Sequence, residues 1–428
     1  MKIILLSGGS GKRLWPLSNE IRSKQFLKIV KNENGETESM VQRVFRQIQA
    51  ADINAEIAIA TGETQVESIK NQLGDKVSIV VEPQRRNTFP AIMLSAAYLY
   101  FERHCSKEET VVILPVDPYV DDKYFEALKS LDKAVQENKA NLVLMGVKPT
   151  YPSEKYGYII PSENDKSLVR EFKEKPDSKT AEMLIAQGGL WNCGVVSAKL
   201  GYLVDILLSK LHCNCYADVL NNYLQLEKDS FDYVVLEKSE SVAVVSYEGD
   251  WKDLGTWNTL TEVMDEVPIG DVKISDDCVN THVVNELEIP VVVMGAKDMV
   301  VAASPDGILV ADKVQSSFIK KYVEDRDMRP MFEERSWGDY TVLNVSVDEH
   351  GNKAVTKKKC IRAGNVIEET SHKTHSEVWT ILSGKAVINI NGRNHDALPG
   401  DTYTIPKRVF HSLTAVENTI LIEIQITE

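Results

Sequence analysis

Cysteine is scarce in this chain. Six occur among 428 residues, at 105, 193, 213, 215, 278 and 360, and no C-x-x-C pair is present. The spacing offers no paired-cysteine metal or redox motif and predicts reduced thiols. His212-Cys213-Asn214-Cys215 has ligand chemistry but no second ligand pair, and it reads as part of a helix. Long apolar runs are also missing. The longest apolar-leaning stretch, Ala91 to Phe101, falls short of the about 18 residues that a membrane helix needs. The N-terminal run stops at Leu6 behind Lys2, too short for a signal peptide. A cytoplasmic location with no membrane partner is the expectation. Positive charge is not in excess: 49 Lys and Arg face 63 Asp and Glu, a net charge of -14. This argues against nucleic-acid partners, though one basic patch would still take an anionic substrate. Internal repeats and low-complexity tracts are absent.

What is present describes a globular protein of two or three domains, 43% hydrophobic and 26% charged. The chain opens on a short apolar strand, Ile3–Leu6, that runs into Ser7-Gly8-Gly9-Ser10-Gly11-Lys12-Arg13. Glycines let a turn bring backbone N–H groups close to phosphate, and Lys12 and Arg13 add charge there. Two common phosphate loops are excluded. A P-loop needs Gly at position 6, which is Leu6, and Ser or Thr at position 13, which is Arg13. A dinucleotide fingerprint from Gly9 needs Gly at 14, which is Leu14.

From residue 1 to about 265, apolar strands alternate with helical patterns. Strands are predicted at Ile3–Leu6, Ile57–Ala60, Val77–Val81, Val111–Leu114 and Leu142–Val147. Helices are predicted at Ser39–Ala51, Glu63–Leu73, Thr88–Arg103 and Asp122–Glu137. This alternation predicts an α/β fold with a mostly parallel sheet, whose ligands bind beyond the strands' carboxyl ends. From about 270 to 325 short strand-like pieces are split by turns: 285–290, Val291–Met294, Met299–Ala302 and Ile308–Ala311. Residues 320–335 read as an exposed helix and linker. From Trp337 onward, strands alternate with turns at 349–352, 363–364, 383–384, 391–392 and 399–401, the pattern of a β-barrel or jelly roll.

The Leu14-Trp-Pro-Leu-Ser18 and Lys24-Gln-Phe-Leu27 segments make the glycine turn specific. Together they resemble the mannose-1-phosphate guanylyltransferases, within the sugar-phosphate nucleotidyltransferases, whose pattern is close to LSGGSGxRLWPLSR…PKQFL. Asn19 stands for the usual Arg and Ser23 for the usual Pro. The resemblance implies a Rossmann-like nucleotidyltransferase domain over 1–265, a short β-helix-like segment and linker over 266–336, and a cupin β-barrel over 337–428. It also implies nucleotidyl transfer from GTP to mannose-1-phosphate, giving GDP-mannose for polysaccharide biosynthesis, by a homo-oligomer, a dimer. The alternatives are another sugar-1-phosphate or nucleotide, a bifunctional enzyme with phosphomannose isomerase activity in the cupin domain, or a regulatory protein that kept the fold and lost turnover.

Further boxes follow in family order. Asp117 in 111–118 and Asp253 in Trp251-Lys-Asp-Leu-Gly-Thr-Trp257 match the family's two metal-binding aspartates, with Pro118 where the family has His. Paired carboxylates plus substrate phosphates suit Mg²⁺; a loop Asp in a turn or cap is the plain structural alternative. Glu174-Lys175-Pro176 matches the box whose Lys binds the sugar phosphate. Gly157 in Tyr156-Gly-Tyr-Ile159 and Asn192 in Trp191-Asn-Cys-Gly194 match the sugar pocket, and Asn offers both donor and acceptor to hydroxyls. Asp232 orders that pocket or caps a helix. Asn87 and Thr88, in Glu82-Pro-Gln-Arg-Arg-Asn-Thr-Phe89, match positions near the base; Phe89 replaces Ala and is expected to alter the pocket wall. By the resemblance, Arg13, Lys24, Asp117, Lys175 and Asp253 carry catalysis. Gly8, Gly9, Gly11, Lys12, Gln25, Asn87, Thr88, Gly157, Glu174, Asn192 and Asp232 bind substrate. In the C-terminal domain His372, His375, Glu377 and His411 match part of a cupin metal set, a second divalent site. In bifunctional relatives this domain is a phosphomannose isomerase with a box like QMHHHRAEHW. Lys373, Thr374 and Val378 replace three of its histidines here, which argues against isomerisation.

Overall fold

The apolar run behind Lys2 forms a central strand whose Ile3, Ile4 and Leu5 are fully buried. Lys2–Leu6 pairs in parallel with Glu56–Gly62 on one side and Thr110–Pro115 on the other. This is the computed structural model of the chain, which describes residues 1–9, 11–264, 267–324 and 329–427. The chain divides into two compact units. One comprises Met1–Gly9, Gln25–Val66 and Asp75–Gly255; the other comprises Ser10–Lys24, Glu67–Gly74 and Thr256–Glu428. Ser10 of the glycine turn and residues 325–328 of the expected helix and linker lie outside the described residues.

The first unit is built on a nine-stranded sheet. Its main path runs Val169–Lys173, Tyr158–Pro161, Leu190–Lys199, Thr110–Pro115, Lys2–Leu6, Glu56–Gly62, Ser78–Glu82. Leu142–Val147 joins Leu190–Lys199 and pairs in parallel with Val242–Tyr247. The strands around Lys2–Leu6 are parallel, as the β-α alternation requires. The long strand Leu190–Lys199 runs antiparallel to each of its neighbours. The five predicted strands and the helices predicted at Ser39–Ala51 and Asp122–Glu137 are present within a residue or two at their ends. The helix predicted at Thr88–Arg103 is α-helical over Thr88–Ala97 and ends in a π turn, Tyr98–Glu102. The one predicted at Glu63–Leu73 opens as a 3-10 turn, Glu63–Gln65, before the α-helix Val66–Leu73. Helix Met40–Ala50 starts where Ser39 and Gln42 form a reciprocal capping box. Helix Thr88–Ala97 is buried from Phe89 to Ala97, which is why its sequence shows no polar face. Residues 212–215 are not helical. They form a turn between helices Leu200–Lys210 and Tyr216–Asn222, and they belong to no metal-competent cluster among the described residues.

Parallel register decides where the functional loops emerge. Leu6 is opposite Pro115, so the chain leaves the sheet at Ser7-Gly8-Gly9 and at Asp117 along the same edge. This is the carboxyl edge, where open α/β sheets bind ligands.

The second unit contains the β-helix-like stack. Val272–Ile274 lies parallel to Val291–Val293, His282–Asn285 to Met299–Ser304, and Val279 bridges to Lys297 in parallel. Equivalent residues recur every 18 to 19 positions, one coil of the stack. Residues 286–290, expected to extend a strand, form a turn instead; Asn285 fixes it by accepting from Leu287 N and donating to Ile289 O. Phe332–Arg335 pairs with Gly338–Val347 and edges the sheet that follows. That sheet has six strands and faces one of four, the two-layer jelly-roll arrangement. The glycines of its turns, at 351, 364, 384, 392 and 400, all have φ between 81° and 95°. These are the positions where turn signals stood in the sequence.

Candidate active site and cupin cluster

A cavity of about 230 Å³ opens in the first unit and gathers Asp117, Gly157, Glu174, Lys175, Asn192, Asp232 and Asp253. A two-stranded ladder joins its two aspartates. Pro118–Val120 runs antiparallel to Trp251–Asp253, and Asp253 is directly opposite Pro118. Asp117 and Asp253 therefore come from distant motifs to adjacent positions. Pro118 opens its strand, a place where a missing N–H is tolerated. Gly255 leaves room for the Asp253 carboxylate: a Cβ there would lie 3.2 Å from Asp253 Oδ2. Two hard carboxylates at one mouth of a cavity form a donor set that fits a divalent cation.

Lys175 lines the same cavity in a left-handed backbone conformation, φ 43°. Its ammonium pairs with Glu174, whose own backbone N donates to Glu237 Oε1 at 3.1 Å. Burial would lower the Lys175 pKa, but the Glu174 carboxylate outweighs it and the pKa is raised. Lys175 thus stays fully charged at neutral pH. Gly157 makes this geometry possible. A Cβ on it would stand 2.5 Å from Glu174 Oε2 and 2.9 Å from Phe172 Cζ. Asn192 receives its place from two bonds: its backbone N donates to Gly157 O at 2.8 Å and its Nδ2 to Asp232 Oδ1 at 2.8 Å. Asp232 is not the helix cap. Ser230 caps helix Phe231–Val234, and Asp232 instead orients Asn192. Burial and the nearby Glu174 charge push the Asp232 carboxyl up to about 6. Tyr156 and Trp251 complete one aromatic wall, their ring centroids 5.2 Å apart.

Beneath the glycine turn lies a buried amide network that sequence reasoning only half found. Gln25 donates from Nε2 to Ser7 O and Ser7 Oγ, both at 3.1 Å. Gln65 accepts from Thr61 Oγ1 at 2.9 Å and donates to Gly9 O at 3.5 Å. Gln25, expected on substrate, is 3% exposed and holds the turn from below. No motif singled out Gln65 or Thr61; a polar pair inside a β-to-helix junction was their only signal. Gly8 lies near the buried Glu82, whose carboxylate accepts from Tyr223 OH at 2.7 Å.

In the second unit, Gly11 is locked by close approach: a Cβ would meet Asn19 O at 2.2 Å. Asn19 substitutes for Arg by organising this loop. Its Oδ1 accepts from Ile21 N and Arg22 N, and its Nδ2 donates to Asp306 at 2.6 Å. Lys12 pairs with Glu20 at 3.3 Å, Arg13 is exposed on the short helix Gly11–Leu14, and Lys24 begins another, Lys24–Phe26.

Asn87 has φ 75° and caps helix Thr88–Ala97 through its own side chain, while Thr88 Oγ1 accepts from Phe231 N at 2.9 Å. Phe89 does not form a pocket wall. It is fully buried in the main core, so the Ala-to-Phe change is absorbed by packing.

The C-terminal sandwich has an apolar half, with Ile361, Ile381, Ile388, Leu413 and Leu421, and a charged half. There His372, Glu377 and His411 hold ligand atoms within 4.8 Å of one another. His375 stacks on His372 with centroids 4.3 Å apart and reaches Glu377 at 3.2 Å, but it does not belong to that three-residue set. His411 Nδ1 donates to Val409 O at 3.0 Å, which leaves Nε2 facing Glu377 at 3.3 Å, buried and without a well-formed hydrogen bond. A buried imidazole nitrogen turned to a carboxylate and a second imidazole fits a divalent cation. Burial alone would raise the Glu377 carboxyl, yet His411, Lys359 and Gln425 hold it well below the usual range.

Comparison with known proteins agrees with this architecture. The nucleotidyl transferase family model matches residues 2–268, and the cupin domain model matches residues 359–424. Xanthan biosynthesis protein XanB of Xanthomonas campestris pv. campestris is 30% identical over 90% of this chain and 86% of its own. A mannose-1-phosphate guanylyltransferase of Salmonella montevideo is 29% identical over 96% of this chain and 92% of its own. A solved structure described as mannose-1-phosphate geranyltransferase from Thermus thermophilus superposes with a TM-score of 0.62 at 27% identity, covering 76% of this chain and 98% of that one. Among the described residues no helix is long and apolar enough to cross a membrane. With a glycine turn and paired aspartates at one sheet edge, and a sandwich closing the chain, this protein belongs to the nucleotidyl transferase family, in a long form that carries a cupin domain.

Proposed function

We propose that the chain transfers the GMP moiety of GTP to mannose-1-phosphate, giving GDP-mannose and pyrophosphate. A phosphate oxygen of the sugar-1-phosphate attacks the α-phosphorus, the bond to the bridging oxygen breaks, and pyrophosphate leaves. The nucleophile is already an anion, so no protein base is needed, and catalysis reduces to positioning and charge neutralisation. The observation that carries this reading is the ladder that sets Asp117 beside Asp253 in the cavity that also holds Lys175. Lys175 holds the sugar phosphate as a point charge. Asn192, oriented by Asp232, meets sugar hydroxyls, and Gly157 and Glu174 keep Lys175 in place. Asp117 and Asp253 hold Mg²⁺, which when bound neutralises phosphate charge. From the sequence pattern, Lys12, Arg13 and Lys24 with the amides of Gly8, Gly9 and Gly11 serve the triphosphate, and Asn87 and Thr88 lie on the base side. Gln25 acts through the turn that it supports.

We also assign domains at 1–265, 266–336 and 337–428, with His372, Glu377 and His411 holding a second divalent cation in the last. The test is pyrophosphate release from GTP on adding mannose-1-phosphate and Mg²⁺. Release that needs both substrates supports the reading. GTP hydrolysis alone, or no release by folded protein, contradicts it.

A further inference from the structure

The cupin strands carry buried charge behind the His372–Glu377–His411 cluster. Strand Lys353–Ile361 turns Val355, Lys357, Lys359 and Ile361 inward, so two lysines occupy core positions. The middle strand, Thr419–Thr427, presents Glu423, with no solvent exposure, opposite Lys357 on one side and Trp379 on the other. Glu423 pairs with Lys359 and, at 3.3 Å, with Lys357. The Trp379 indole N–H is shared between Glu423 Oε2 at 3.2 Å and Glu377 Oε2 at 3.0 Å. Gln425 donates to the other Glu377 oxygen at 3.0 Å. Lys359 also lies 5.3 Å over the Trp379 ring. An unbroken chain thus runs from the lysines through Glu423 and Trp379 to Glu377.

Stability does not explain such a chain. A buried ion pair is often no more stabilising than apolar residues of the same volume. Its formal charges do suggest a use. Two ammonium groups and two carboxylates cancel while the imidazoles are neutral, so a divalent cation at the cluster takes the interior to +2. Each lysine then opposes the cation and each carboxylate favours it.

We propose that Glu423, Trp379, Lys357 and Lys359 are positioning residues that set the cation affinity of the cupin cluster, with Glu423 raising it and Lys359 lowering it. This rests on the reading that His372, Glu377 and His411 hold a divalent cation. Partners one layer behind metal ligands typically change affinity about 10- to 100-fold when removed.

The test titrates the full chain with Co²⁺ alone and follows its visible absorption, with the cupin signal defined as the part lost in His411→Ala. Glu423→Gln is expected to weaken Co²⁺ binding about tenfold, and Trp379→Phe, which keeps the ring and removes the donor, to weaken it less. Lys359→Met is expected to tighten it about tenfold. Opposite signs from neighbouring substitutions separate charge control from damage, since a structural lesion weakens binding in every variant. Trp379→Phe and Lys359→Met keep the test open should Glu423→Gln not fold. Weakening or no change in Lys359→Met overturns the proposal and leaves the cation site standing. Absence of any His411-dependent Co²⁺ signal in the wild type overturns both.

Discussion

The two polar sites of this chain are built in opposite ways. In the nucleotidyltransferase cavity, most functional side chains come from short runs of sequence, 117–118, 155–157, 174–175, 192–194 and 251–253, with Asp232 alone on the short helix Phe231–Val234. In the cupin, they stand at alternate positions of long strands, 375, 377 and 379 on one, 357 and 359 on a second, 423 and 425 on a third. The first kind of site keeps its charges near water and can turn over large anionic substrates. The second surrounds its carboxylates with imidazole, indole and ammonium groups and leaves room for a small ion. Loops carry exchangeable chemistry; strand interiors carry fixed charge.

That contrast gives a graded set of expectations. The largest effect is at the paired aspartates. Asp117→Ala or Asp253→Ala is expected to cut pyrophosphate release by at least about a hundredfold, the range seen when one preorganised electrostatic contact to a developing charge is lost. Circular dichroism should show the fold intact, and near-normal turnover in either variant would remove the cation from the nucleotidyltransferase cavity.

A smaller loss is expected at the sugar phosphate. Lys175→Ala removes a charged hydrogen bond worth about 1.5–3 kcal/mol, so KM for mannose-1-phosphate should rise roughly ten- to a hundredfold with a lesser change for GTP. Gly157→Ala should act in the same direction, because the new methyl must displace Glu174 from Lys175. An unchanged KM in both variants would move the sugar phosphate elsewhere.

The buried amide network predicts a stability effect. Gln65→Ala removes the oxygen that accepts from Thr61 Oγ1 and the amide that reaches Gly9 O. It should cost about 1–3 kcal/mol, read as a lower denaturant midpoint. A midpoint equal to wild type would mean that the turn supports itself.

An effect of comparable size concerns pH. Asp232 has a folded pKa of about 6 against an ordinary value of 3.8. Between those values the folded protein holds a proton that the unfolded chain releases, so this stabilising contribution is present near pH 4 and is lost as pH rises through about 6. Asp232→Asn, which cannot titrate, should therefore gain stability relative to wild type as pH rises from about 4 to 6. Parallel pH profiles of melting temperature for the two proteins would show that Asp232 has no such proton.

The same contrast explains what the sequence could reveal. The five strands named between residues 3 and 147 and the turn glycines of the C-terminal sandwich followed from period and turn chemistry, and the loop boxes named their residues because each motif is local. Asp232 as a cap failed because Ser230 was the better-placed cap two residues earlier. Phe89 as a pocket wall failed because a helix with no polar face has no open side to offer. The cupin network was the least legible. No motif singled out Lys357, Lys359 or Glu423; strand pairing turns them inward, and register is a long-range property that no local motif carries.

The central claim is guanylyl transfer to mannose-1-phosphate at the paired aspartates. Its most direct test is a matrix of four nucleoside triphosphates against several sugar-1-phosphates, read as Mg²⁺-dependent pyrophosphate release in wild type and in Asp253→Ala. The account predicts one dominant pair, GTP with mannose-1-phosphate, and its collapse in the folded variant. A different dominant pair, or equal release by Asp253→Ala, would contradict it.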